Sequence, residues 1–81
     1  MGQLARTPKQ IGEVLRRQRV AAGLSQTELA ERAGMRQATV SQVESGQPAA
    51  RLQTICDLLA TLGLEMMIGP RSIAPDIEDI F

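Results

Sequence analysis

Apolar positions along the chain fall into four stretches at helical spacing, each closed by glycine or turn residues. The first runs through Ile11, Val14, Leu15, Gln18 and Ala22 and stops at Gly23. Thr7-Pro8-Lys9-Gln10 opens it: Thr7 can cap, Pro8 suits the first turn and Gln10 holds the capping-box position. Ser25-Gln26-Thr27-Glu28 is a second capping box, followed by Leu29, Ala30 and Ala33 and ended by Gly34. Met35 leads into a third helix over residues 36–44, where Val40 and Val43 form the inward pair. Ser45-Gly46-Gln47-Pro48 is turn chemistry. Leu52, Ile55, Cys56, Leu58, Leu59 and Leu62 form the stripe of a fourth helix, closed by Gly63. On that stripe Cys56 reads as a buried core thiol. The next five residues, Leu64-Glu65-Met66-Met67-Ile68, sit between Gly63 and Gly69-Pro70 and read as a strand. Leu64, Met66 and Ile68 would share one face, Glu65 and Met67 the other. A single strand cannot stand alone, so it calls for a second strand from another molecule.

Length makes this one small domain, which buries only about 60% of its unfolded surface and gains from a partner chain. With Phe81 the sole aromatic residue, the core must be aliphatic. The chain has no histidine and one cysteine. That excludes an internal disulfide, a Cys/His zinc site and every histidine-dependent triad. No phosphate-cradling glycine loop or paired catalytic carboxylate is visible, which argues against an enzyme. No cofactor or metal is expected. A lone thiol fits a reducing cytoplasm. No signal peptide or membrane span is visible: the most apolar stretch, residues 58–68, is short and broken by Thr61, Gly63 and Glu65.

Nine basic residues balance nine acidic ones, but the charge is unevenly placed. Residues 1–24 carry Arg6, Lys9, Arg16, Arg17 and Arg19 against Glu13, a net +4. Residues 69–81 carry Arg71 against Asp76, Glu78 and Asp79, a net −2. A basic front and an acidic tail hide inside a neutral sum. The expected organisation is a flexible start over residues 1–6, one folded domain over 7–68, and a flexible acidic tail over 69–81. In the tail, Ile73, Ile77, Ile80 and Phe81 have helix-like spacing, which fits either disorder or a segment that folds on a partner.

Residues 19–44 carry the functional signal. Two short capped helices meet at a tight Gly34 turn, with small residues where they cross, which is a helix-turn-helix arrangement. Val40 and Val43 anchor the second helix. Its other face carries Gln37, Ala38, Ser41 and Gln42, short neutral groups that can meet base edges in a major groove. Gln26, at the start of the first helix of the pair, is placed near a phosphate.

Arg19-x-x-x-Gly23-Leu24-Ser25-Gln26-Thr27-Glu28-Leu29-Ala30-Glu31-Arg32-Ala33-Gly34, continued by residues 37–46, resembles the Xre/Cro-type helix-turn-helix of phage repressors and bacterial antitoxins. The resemblance covers roughly residues 8–62. Arg51-Leu52-Gln53-Thr54-Ile55 and Leu62-Gly63-Leu64-Glu65-Met66 are similar to the HipB-type antitoxins, whose short strand after the last helix pairs across a dimer. The resemblance implies an all-α, lambda-repressor-like bundle of four to five helices with a short C-terminal strand pairing across a dimer.

By the same resemblance Gln26 matches a phosphate-contacting Gln. Arg36, Gln37, Ala38, Ser41 and Gln42 match the start and outer face of the recognition helix. Arg36 is the foremost candidate for a base contact, since Arg reads guanine O6/N7 bidentately. Gln37 could read adenine or brace a phosphate, and Ala38, where relatives have a second Gln, could touch a thymine methyl. Arg19 matches a residue that pairs inward with the Glu ending the recognition helix, here Glu44. Arg16 and Arg17 lie on a solvated face or contact phosphate, and Arg51 could reach a phosphate from the start of the fourth helix. Leu64, Met66, Met67 and Ile68 would make the dimer sheet. The implied function is a DNA-binding repressor that is also the antitoxin of a HipA-like serine/threonine kinase toxin and represses its own operon. The implied partners are inverted-repeat double-stranded DNA, a second copy of the chain and the kinase, with no membrane. The alternatives are a stand-alone phage-type or restriction-modification controller repressor, or an interaction module that uses the fold without DNA.

Overall fold

The computed structural model describes residues 3–71. Four helices follow one another: α1 (Pro8–Ala21), α2 (Gln26–Ala33), α3 (Gln37–Glu44) and α4 (Leu52–Thr61). Leu15, Leu24, Leu29, Ala30, Val40, Val43, Ile55 and Leu58 form the buried core, with Ile11, Ala33, Met35, Ala50, Leu59 and Leu62 packed around it. This core is wholly aliphatic, as the composition requires.

Local chemistry sets the helix ends. Thr7 caps α1 by accepting from the Gln10 N–H at 3.1 Å, with Pro8 in the first turn. The box expected there is offset by one residue: the Gln10 side chain accepts from the Arg6 N–H. The Ser25 box is reciprocal. The Ser25 Oγ accepts from the Glu28 N–H at 3.0 Å, and Glu28 Oε1 accepts from the Ser25 N–H at 2.9 Å. These bonds hold the Glu28 carboxyl below its ordinary pKa, the Ser25 backbone N–H contributing most. The stabilisation they bring is present above the unfolded carboxyl pKa and is lost as pH falls through the depressed folded value. Gly34 adopts φ 71°, the left-handed conformation that lets α2 stop and the chain turn into α3.

Gly12 sets the approach of α1 to α3. A Cβ at this position would lie 2.6 Å from the Glu44 carbonyl oxygen and against that of Val43. Both obstacles are backbone, so neither can rotate away. Gly12→Ala is expected to destabilise the fold by about 1–3 kcal/mol, the usual range for overpacking, although alanine is the better helix former. Chemical denaturation checks this, and a midpoint at or above wild type would show that the helices can separate without loss.

Two expectations, on Cys56 and Leu52, are corrected, and a third, which called for a second molecule, is not met in the single chain. The strand over residues 64–68 is not formed: this segment has no regular structure, and no strand occurs among the described residues. A strand is defined by its ladder, and a single chain offers this segment no extended neighbour. Cys56 is exposed rather than buried. Leu52, expected on the same apolar stripe, is 66% exposed. The ten-residue α4 buries one narrow line through Ile55 and Leu58, so positions to either side of it reach solvent. The tail expected over 69–81 lies outside the described residues from residue 72 onward.

Candidate nucleic-acid interface

The site is built from α2, the Gly34 turn and α3. Val40, Val43 and Glu44 are buried and fix α3 by one side. Its opposite side leaves Gln37, Ala38 and Gln42 exposed and Ser41 half-buried. Arg36, at the N-cap, is exposed and makes no side-chain cap. The first N–H groups of α3 therefore lack a capping side chain at the positive end of the helix dipole, beside a guanidinium. Neutral donors and acceptors on a firmly held helix, with a cation at its entry, suit a negatively charged polymer with readable edges.

Behind this face lies a polar relay. Arg19 Nε donates to Glu44 Oε2 at 2.7 Å and Arg19 Nη2 to Glu44 Oε1 at 3.1 Å. Arg19 Nη1 donates to the Leu24 carbonyl at 2.7 Å, which ties the α1–α2 link to the pair. The hydrogen bonds to Glu44 raise the pKa of the Arg19 guanidinium above its ordinary value and outweigh the effect of burial. The Glu44 side chain is 3% exposed, and among the described residues no buried side-chain polar atom lacks a partner. Gln26 Nε2 donates to Glu44 Oε1 at 3.0 Å, and Gln26 Oε1 accepts from Gln37 Nε2 at 2.6 Å. Arg19 and Glu44 are thus joined to Gln26 and Gln37 in one chain of bonds. The sequence suggests Gln26 as a phosphate contact; its amide here is engaged at both ends within the protein.

The basic candidates separate. At about 100° per residue, Arg16 lies roughly 40° from Gly12 around α1, on the side that meets α3. Arg17 lies about 140° away, and its Nη2 donates to Gln3 Oε1 at 3.0 Å. Arg17 thus faces the N-terminal segment rather than α3. Arg51 stands at the N-cap position of α4 without a side-chain cap and lines a groove of about 440 Å3 together with Thr39, Gln42, Gln47 and Thr54. The fold therefore brings Arg51 beside the outer face of α3. Thr39, Gln47 and Thr54 were not anticipated there. The available signal was helical spacing, since Thr39 precedes Gln42 by three residues.

The apolar candidates cluster elsewhere. Leu64 is half-buried, whereas Met67 and Ile68 are 86% and 95% exposed. Met66, Met67 and Ile68 line a second groove, of about 580 Å3, with Leu4, Ile11, Val14 and Leu59. Among the described residues, no cluster of His, Cys, Asp or Glu is placed to hold a metal. No described helix is long and apolar enough to cross a membrane.

Known proteins bear the same features. The sequence pattern of the helix-turn-helix domain family matches residues 10–66. An uncharacterized HTH-type transcriptional regulator of Sinorhizobium fredii is 34% identical over 77 residues, which cover 95% of this chain. The chain spans 39% of the length of that relative. Among solved structures, a HipB variant in complex with an O2 20mer superposes with a TM-score of 0.82 at 29% identity, covering 89% of this chain and 100% of the other. HipB in a HipA–HipB–O2–O3 complex superposes with a TM-score of 0.81 at 30% identity, covering 88% and 100%. A capped α2, a left-handed Gly34 and an α3 held by Val40, Val43 and Glu44, matched over residues 10–66, place the chain in the helix-turn-helix domain family, a fold of DNA-binding transcription regulators.

Proposed function

We propose that the chain is a sequence-specific transcriptional repressor that binds an inverted-repeat operator as a homodimer and serves as the antitoxin of a HipA-like kinase, repressing its own operon. The observation that carries this reading is the α3 face. Gln37, Ala38 and Gln42 are exposed on a helix locked to the bundle, with Ser41 half-buried beside them, Arg36 at its entry and Arg51 beside it. In this role Arg36, Gln37, Ala38, Ser41 and Gln42 meet base edges, and Arg16 and Arg51 meet phosphates. Gln26 braces the reading helix. Arg17 contributes from the N-terminal side. The antitoxin part of the reading is supported by similarity to HipB along the whole of those chains, one of them in complex with HipA.

The dimer reading rests on the apolar segment at residues 64–68. Leu64, Met66, Met67 and Ile68 would pair with the same residues of a second copy, which supplies the missing ladder. Met66→Asp should weaken the dimer at least tenfold, because pairing would bring two carboxylates into an apolar contact. Sedimentation measures this, and an unchanged monomer–dimer constant would remove these residues from the interface.

Arg36→Ala should cost about 1–3 kcal/mol per half-site and relax selectivity at one base pair. Uniform weakening across all sequences would instead make Arg36 a phosphate contact. The experiment that tests the whole reading is recovery of the tagged chain from its native cells, with and without nuclease, followed by mass spectrometry. A kinase-sized partner that survives nuclease supports the antitoxin role. DNA from its own promoter without a protein partner favours a second reading, a repressor without a toxin, to which the longer Sinorhizobium regulator lends weight.

A further inference from the structure

We propose that the segment over residues 3–6 is one wall of a groove that receives a second copy of this chain. Leu4, folded back along α1, takes Met67 and Ile68 of the other copy, and Arg17 holds the wall in place through Gln3. This rests on the reading of the chain as a homodimer and names a surface which that reading leaves out.

Two ties fix the wall to α1. The Arg6 N–H donates to Gln10 Oε1, which sets where the segment joins the helix. Arg17 Nη2 donates to Gln3 Oε1 at 3.0 Å, across 14 positions of sequence. Arg17 stands more than two turns beyond Pro8, about 13 Å along the helix axis. Four extended residues reach about that far, so the segment runs back along α1. Leu4 thereby joins Ile11, Val14 and Leu59 in lining the groove of about 580 Å3 that residues 66–68 also border.

Packing within one chain does not account for this arrangement. Leu4 remains 67% exposed in its place. Ordering the segment costs conformational freedom, and an exposed leucine returns little of it. Met67 and Ile68, on the border of the same groove, are more exposed still. An apolar hollow and two apolar side chains thus share one face. A two-fold interface needs that combination, because each copy gives the other the same groups that it receives. The charges at the rim agree. Glu65 and Arg71 both border the groove, and neither has an ion-pair partner among the described residues. Opposite charges on one self-complementary face suit a second copy better than a partner of a single sign. Arg17 is then a positioning residue for association, in contrast to Arg16 and Arg51 beside α3.

The test is sedimentation equilibrium of the full chain, with circular dichroism of each variant as the check on folding. Leu4→Asp is expected to weaken association at least about tenfold, because the second copy would close apolar side chains over a carboxylate. Leu4 is exposed in the single chain, so the fold survives the change. Arg17→Ala should weaken association about threefold, the worth of one hydrogen bond. It should leave the salt dependence of DNA binding by the dimer unchanged, whereas loss of a phosphate contact would reduce that slope by about 1 per subunit. Contact between copies is read directly in a Cys56→Ser background, where each further variant carries a single thiol. Leu4→Cys and Met67→Cys chains with tags of different length are mixed and treated with a short bismaleimide. A covalent pair of unequal chains is expected, and with one thiol per chain the link can only join two copies. Wild-type association in Leu4→Asp, or no unequal pair, overturns the wall and leaves association to residues 64–68 alone. A wild-type chain that stays monomeric at every concentration overturns the homodimer reading itself, so the two failures are distinguishable.

Discussion

Glu44→Ala is expected to cost about 3–5 kcal/mol of stability, enough to lower the melting midpoint on the order of 20 °C in a domain of this size. The reason is what remains. Arg19 keeps its bond to the Leu24 carbonyl but loses the carboxylate that compensates its charge, at a site where its side chain is 12% exposed. Gln26 loses the acceptor that orients it. The pair as a whole is a different matter. Replacing both Arg19 and Glu44 by methionine removes the charge that needs compensation, so the double variant should recover most of the loss. Thermal melting of the single and double variants separates the two effects. A single variant that melts within a few degrees of wild type would show that the pair contributes little to folding.

The elements that local chemistry dictates were legible in the sequence. The Ser25 box, Gly34 and the Val40–Val43 pair depend on residues a few positions apart, and helical spacing brings them together. The relation of Arg19 to Glu44 came from resemblance, since nothing local joins two residues 25 positions apart. Gly12 was missed for the same reason. Within one helix it reads only as a weak helix former, and its meaning appears when the α3 carbonyls come against it. The α4 stripe was read too wide because a periodic pattern does not say how much of a helix the neighbours can cover. Cys56 and Leu52 lie beyond that cover. The expected strand over residues 64–68 would need a partner to supply its ladder, and in the single chain the segment has no regular structure. Gln26 was read as a phosphate contact from its place at the helix start and from resemblance, and Arg17 as a solvated or phosphate-contacting group. Their hydrogen bonds to Glu44, Gln37 and Gln3 depend on tertiary placement.

Affinity for DNA should fall steeply with salt despite the neutral net charge. Counterion release depends on cations that meet phosphates and is indifferent to the sum over the chain. Lys9, Arg16, Arg36 and Arg51 are exposed on or beside the elements that meet α3. The acidic residues of the sequence tail are remote from them along the chain. Two copies, if the proposed dimer forms, would offer eight such cations. If about 6–10 phosphate contacts form per dimer, affinity should drop about 10³–10⁵-fold between roughly 50 and 200 mM salt. Fluorescence anisotropy across a salt series gives the slope of log affinity against log salt. Arg51→Ala should reduce its magnitude by about 1 per subunit, and Gln37→Ala should leave it unchanged while altering sequence preference. The two variants thus separate charge from readout. A slope near zero would mean that the basic residues do not meet a polyanion, and the polar face of α3 would then have to be read as a contact for protein.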